Sequence, residues 1–324
     1  MTTTKRPSID QQVAAPLLAL GPIPPLTDAD VAANRLLPVE PDPGFDERLA
    51  ELDLVHEIVE IDGPNGPLAL SIIRPAQRAA SAPVLYTIHG GGMILRNRFA
   101  GLVEFDQVGW AARFGLVLVT PEYGLAPESP APAGVEDCYA GLAWVADNAE
   151  ALGVDPDRMI VAGISGGGGL AAGTALLARD RRGPNLLAQL LIYPQLDDRN
   201  VSVSAQQFRH ANGGLVWPTE NNEFAWDAIL GPGHADRDVS IYSAPGRATD
   251  LSDLPPAFLD VGDAEVFRDE IVAYASLLWA SGVNAELHVW PGLFHGFNLF
   301  GQGLPIVQSA RVVREDWLAR MYAR

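Results

Sequence analysis

A mostly parallel α/β sheet covered by helices on both faces is the fold class the sequence predicts. Three observations carry it. Short apolar runs bounded by Gly or Pro recur from about residue 54 onward, helical patterns lie between them, and a long gap without a strand interrupts the alternation late in the chain. Short runs without polar alternation read as strands buried on both faces. Strands alternating with helices imply crossovers that cover both sides of one sheet.

Taken in order, residues 1–50 are rich in Pro, Ala and Leu, with PIPPL and PVEPDPG as breakers, and read as short helices joined by rigid turns. LVHEIVEI and PLALSIIR read as an edge hairpin turning at Asp62-Gly63-Pro64-Asn65-Gly66. PVLYTIH, LVLVTPEY, RMIVAGIS, LLAQLLIYP, PAFLDVG and AELHVWP are the sheet strands. Helices are expected over 132–149, after Ser165, over 266–282 and in QSARVVREDWLARMYAR at the C-terminus. Between Tyr193-Pro194 and Leu254-Pro255 about 60 residues contain no sheet strand, longer than an ordinary crossover. That stretch, with FRHANGGLVWPTENNEFAWDAILGPG in it, reads as an inserted cap over the sheet's C-terminal edge, where open α/β sheets hold their sites. The division is therefore 1–50, the first part of a helical cap; 51–195, the first part of an α/β domain; 196–245, the cap insertion; and 246–324, the rest of the α/β domain.

Composition narrows the partners. The chain has 324 residues, 48% of them hydrophobic, enough for a sizeable core. Its 22 basic and 40 acidic residues give a formal charge of −18, which argues against nucleic acid and against anionic membrane surfaces. Cys138 is the single cysteine, so no intramolecular disulfide can form; it sits in a helical packing pattern and fits a reducing cytoplasm. MTTTKRPSID lacks the apolar run of a signal peptide, and no stretch approaches the length of a membrane span. A soluble, cytoplasmic protein is expected.

The chemistry-bearing motifs fall at strand ends. RMIVAG runs into Gly163-Ile164-Ser165-Gly166-Gly167 and then a helix, the G-x-S-x-G arrangement in which a tight turn lifts a serine hydroxyl above the sheet. The pattern alone is weak; its strand–turn–helix context supports it. His89-Gly90-Gly91-Gly92 after PVLYTI is a rarer run. Backbone N–H groups there can stabilise the oxyanion of a tetrahedral intermediate, with Gly91, Gly92 and Gly166 as the expected donors. A serine nucleophile needs a base and a carboxylate, in the order Ser–acid–His. Of six histidines, His295 lies in a loop after the last strand; His56 is too early, His89 braces the glycine loop, His210 and His234 fall in the insert, and His288 lies within a strand. After PAFLDVG, Asp260 is still in the strand, and Asp269 and Glu270 are accounted for by the start of a helix. Asp263 and Glu265 both remain as the acid.

Together these residues resemble the bacterial hormone-sensitive-lipase-like esterases, family IV, a branch of the α/β-hydrolases. The resemblance spans roughly residues 55–324 and rests on HGGG at 89–92, PEYGLAPE at 121–128, the elbow at 163–167, VFRDE at 266–270 and FHGF at 294–297. The family carries its acid as Asp in G-x-x-D just before a segment like VFRDE, and Gly262-Asp263-Ala264-Glu265 in that register puts Glu265 in the acid position. Two departures stand out: Ile164-Ser165-Gly166 where the family often has Asp-Ser-Ala, and Gly124 where it commonly has Arg. The resemblance implies a serine carboxylesterase acting on short- to medium-chain acyl or aryl esters through an acyl-enzyme. It also implies a small-molecule ester as partner, no metal or cofactor, and homodimers as a common state. Phe208, Trp217, Phe224 and Trp226 of the insert are expected to line the pocket. An amidase or carbamate hydrolase would use the same triad. A non-catalytic ligand-binding protein on this fold predicts a broken triad, which is not what the sequence contains. The acidic charge and the lack of a strongly apolar lid argue against a true lipase.

Overall fold

The strands of the central sheet are runs in which every residue is buried. β3 (Ala82–Ile88), β4 (Val117–Pro121), β6 (Ala188–Ile192) and β7 (Ala257–Gly262) have no exposed position, and β5 (Val154–Ile164) is buried from Met159 onward. Burial on both faces requires helices above and below, and hence parallel pairing through crossovers. At the flanks, β1 (Leu54–Gly63) and β2 (Gly66–Pro75) form the expected hairpin, and β8 (Ala285–Trp290) is half-exposed. The computed structural model describes residues 5–21, 23–41, 43–77 and 81–324. Residues 1–4 of the N-terminal reading, and Pro22 and Asp42 within the two proline breakers, lie outside the described residues.

The eight strands form one sheet in the order β1-β2-β4-β3-β5-β6-β7-β8. β1, β2 and β4 pair antiparallel, and β4 through β8 pair parallel. The parallel strands therefore end at one edge, and Ile88, Ile164, Ile192 and Gly262 bring their following loops together there.

Helices α1 (Gln11–Leu18), α2 (Asp28–Arg35) and α3 (Phe45–Glu51) precede the sheet, as the proline-broken N-terminal segment predicts. α4 (Gln107–Phe114), α5 (Ala133–Asp147), α6 (Ala149–Leu152), α7 (Gly166–Arg181), α10 (Arg268–Ala280), α11 (Phe297–Phe300) and α12 (Pro305–Tyr322) accompany the strands. Between β6 and β7 lie only α8 (Val203–Gln207), α9 (Thr219–Leu230) and single 3₁₀ turns, so the long gap is helical, without a sheet strand among its residues. A hydrophobic core runs continuously from Val13 in α1 to Tyr322 in α12.

The insert is closed at its base by charge. Asp198, fully buried just after β6, accepts from Arg247 Nε at 2.6 Å and Nη2 at 2.7 Å, and its Oδ2 lies 2.8 Å from His234 Nδ1. Asp269 and Glu270 turn out to do more than complement a helix end. Asp269 Oδ2 accepts from Ser204 N at 2.7 Å, and the buried Glu270 Oε1 accepts from Leu196 N at 2.7 Å and Asp197 N at 3.3 Å, so both fasten the insert to α10. The N-terminal segment is fastened in turn to the insert: Asn221 Oδ1 accepts from Leu26 N at 2.8 Å, and Gln207 donates to Lys5 O at 2.8 Å.

Candidate active site

Ser165 stands between β5 and α7 at φ 57°, ψ −122°, a conformation that an L-residue holds only under strain. Its N–H donates to Ile192 O of β6 at 2.9 Å, and its carbonyl accepts from Gly168 N at 2.8 Å and Gly169 N at 3.1 Å. The turn is thus pinned on both sides, and the hydroxyl emerges above the sheet, 2.9 Å from His295 Nε2.

Strand ends place the partners. His295 follows β8, and Glu265 follows β7 through the turn at Gly262. His295 Nδ1 lies 2.6 Å from Glu265 Oε2, and Glu265 Oε1 accepts from Gly262 N at 3.0 Å. A carboxylate can only accept, so Nδ1 carries the proton and Nε2 is left to accept from the serine hydroxyl. All three side chains are nearly fully buried. The ring of His295 is held edge-on by Tyr193 at 4.8 Å and Phe267 at 5.0 Å. Asp263, the other carboxylate open on sequence grounds, faces away: its Oδ1 accepts from Gly292 N at 2.7 Å and so braces the turn leading to His295.

The glycine loop meets this group from the other side. A Cβ on Gly166 would sit 2.8 Å from Met93 N and 3.0 Å from Gly92 N, so only glycine lets the loop and the elbow come this close. At Gly92, φ is +63° and a Cβ would run into the ring of Trp217. Among the described residues no acceptor takes the N–H of Gly91, Gly92 or Gly166. Unclaimed amides where the glycine loop packs against the elbow suit an oxyanion. His89 braces the loop from behind. Its ring stacks on Tyr123 at 4.3 Å, its Nδ1 lies 2.8 Å from Gly90 O, and burial lowers its pKa to about 4, so it is neutral at neutral pH. Among the described residues no cluster of His, Cys, Asp and Glu is arranged to hold a metal ion.

A cavity of about 270 Å³ opens over the serine. Its walls come from the N-terminal segment (Ile23, Pro24, Leu26), the elbow and glycine loop, and the insert (Val216, Trp217, Asn221). Of the four insert aromatics expected there, Trp217 is in the wall. Phe208, Phe224 and Trp226 are not, and that expectation is corrected. Phe208 is buried with Arg6 of the N-terminal segment over its ring, Trp226 is buried in the continuous hydrophobic core, and Phe224 lines a separate groove with Asp28 and Val31. Arg96, Phe105 and Tyr193 line the cavity without having been singled out in the sequence, because no motif marks them.

Residues 85–299 match the family model described as the alpha/beta hydrolase fold. A carboxylesterase of Mycobacterium tuberculosis, NlhH, is 36% identical over 319 residues, covering 95% of this chain and 94% of that protein. An ethyl acetate hydrolase of Pseudomonas putida is 30% identical over 297 residues, covering 85% of this chain and 90% of its own length. The solved structure of a bacterial heroin esterase superimposes with a TM-score of 0.85 at 34% identity, covering 97% of this chain and 98% of that one. Fold, family model and full-length likeness agree: this chain belongs to the hormone-sensitive-lipase-like esterases of the α/β-hydrolase fold and is a carboxylic ester hydrolase.

Proposed function

We propose that the chain is a serine carboxylesterase for short- to medium-chain acyl or aryl esters, working through an acyl-enzyme on Ser165. The observation that carries this is the unbroken run of contacts from Ser165 Oγ to His295 at 2.9 Å and from His295 to Glu265 at 2.6 Å, facing amides with no acceptor of their own. In this reading His295 Nε2 takes the hydroxyl proton as Oγ attacks the ester carbonyl. Glu265 holds the imidazole in its tautomer and stabilises the imidazolium. Gly91, Gly92 and Gly166 receive the developing oxyanion, a stabilisation worth about 3 kcal/mol per donor. His295 then protonates the leaving alcohol, and a water deprotonated by the same nitrogen releases the acid.

The modest, largely apolar cavity supports compact esters, and residues 1–50 with 196–245 act as its cap. Among the described residues no helix is long and apolar enough to cross a membrane. The test is an acyl-length series of chromogenic esters. Turnover is expected to peak at short to medium chains, and Ser165→Ala to lower kcat by roughly a million-fold. Turnover that survives the substitution would reject the assignment.

A further inference from the structure

We propose that Arg96 makes the cavity over Ser165 a receptor for esters that carry a carboxylate. The inference rests on the reading of Ser165, His295 and Glu265 given above and names a substrate class for that site. Arg96 lines the same cavity as Ser165 and His295. Its Cγ lies 3.0 Å from where a side chain on Gly91 would begin, so its stem lies along the loop that offers amides to the oxyanion. Its backbone N–H donates to Asn34 Oδ1 at 3.1 Å, which ties it to α2 of the N-terminal segment.

The neighbouring arginines show what is unusual about it. Arg35 pairs with Glu128 at 2.9 Å, and Arg98 pairs with Glu122 at 2.9 Å. The Arg96 guanidinium has no hydrogen-bond or ion-pair partner among the described residues, although the chain carries 40 acidic side chains and only 22 basic ones. Its backbone is also left-handed, at φ +77°, where glycine is the default and a long side chain adds strain. A solvent-exposed guanidinium, without a partner among the described residues, thus stands at a strained backbone position beside the glycine loop.

Guanidinium presents a planar fork of donors that matches a carboxylate in bidentate fashion. In a protein of net charge −18, a local cation offsets the repulsion that an anionic substrate meets near the surface. The class is therefore esters with a carboxylate a few bonds from the scissile carbonyl, on the acyl or the alcohol side.

Two pairs of substrates test it. On the acyl side, para-nitrophenyl hydrogen glutarate is compared with its methyl-capped twin. On the alcohol side, para-acetoxybenzoate is compared with its methyl ester. In at least one pair the parent enzyme is expected to favour the charged member. Arg96→Met is expected to lower the charged-to-neutral ratio of kcat/KM by about five-fold, mainly through KM. Arg96→Lys should recover part of the ratio, and added salt should erode it in the parent. Equal ratios for parent and Arg96→Met in both pairs would overturn the proposal, as would equal losses on charged and neutral members, which mark a packing role for the stem. Failure of the underlying site reads differently: neutral esters would then be turned over by Ser165→Ala.

Discussion

The sheet edge that carries Ser165 is pinned by backbone bonds, whereas the segments that wall its cavity add long side-chain ties to backbone bonds such as Ala131 N to Ile229 O. Ser165 is pinned through backbone groups, Ile192 O on one side and Gly168 N and Gly169 N on the other. Glu265 leans on Gly262 N, three residues away. The cap is tied by side chains reaching far along the chain: Arg247 to Asp198, Asp269 to Ser204, and Arg35 to the carbonyls of Ile94 and Ala126. Backbone ladders tolerate few alternatives, whereas each long side-chain tie can be cut singly. Chemistry and coverage should therefore be separable by substitution.

After the nucleophile itself, the largest effect is expected at the carboxylate. Glu265→Gln should lower kcat about 10⁴-fold, because the imidazole loses its tautomer control. Asp263→Asn, which only loosens the turn at Gly292, should cost less than about ten-fold; steady-state kinetics on one ester decide, and the reverse order would reassign the acid.

In the cap, Arg247→Met leaves the fully buried Asp198 with His234 alone. It should lower stability by about 3 kcal/mol, read by urea unfolding, and raise KM more than it lowers kcat. An unchanged denaturation midpoint would mean that the clasp holds nothing.

Gly92→Ala sharpens the boundary between the two regions, since its Cβ would meet Trp217 of the insert while its amide is one of the proposed oxyanion donors. A loss of about 100-fold in kcat, roughly 2.7 kcal/mol of barrier, is expected. A KM effect alone would place the glycine with the cap.

The smallest effect is a slope in pH. Burial pushes the Glu270 carboxyl well above the usual carboxylate range, against the pull of the Leu196 and Asp197 amides. Above about pH 4.3 the unfolded chain releases this proton while the folded one retains it, so its contribution is lost as pH rises through the folded-state value. Glu270→Gln should therefore lose less melting temperature between pH 5 and pH 8 than the parent. Parallel pH curves would contradict the protonation argument.

How much was legible follows from how far each constraint reaches. Strands, elbow and glycine loop are local: a strained turn or a close backbone approach admits so few residue types that the requirement shows in the chain itself. The acid was ambiguous because Asp263 and Glu265 are two residues apart and both precede the same helix. The family register favours Glu265, and the direction of the side chains agrees, Glu265 toward His295 and Asp263 toward Gly292. Arg96 carries no pattern, since its interest lies in having no side-chain partner among the described residues. Phe208 and Trp226 are aromatics of the insert like Trp217, yet they are buried away from the cavity.

By itself, the amino-acid sequence determined the sheet, the serine turn and the glycine loop, because backbone geometry enforces each within a few residues, and it singled out His295 by its place after the last strand. Tertiary structure decided which carboxylate faces the imidazole, which aromatic reaches the cavity and which cation stands unpaired beside it. Those choices depend on side chains from distant segments converging at one sheet edge, a packing outcome that no local pattern encodes.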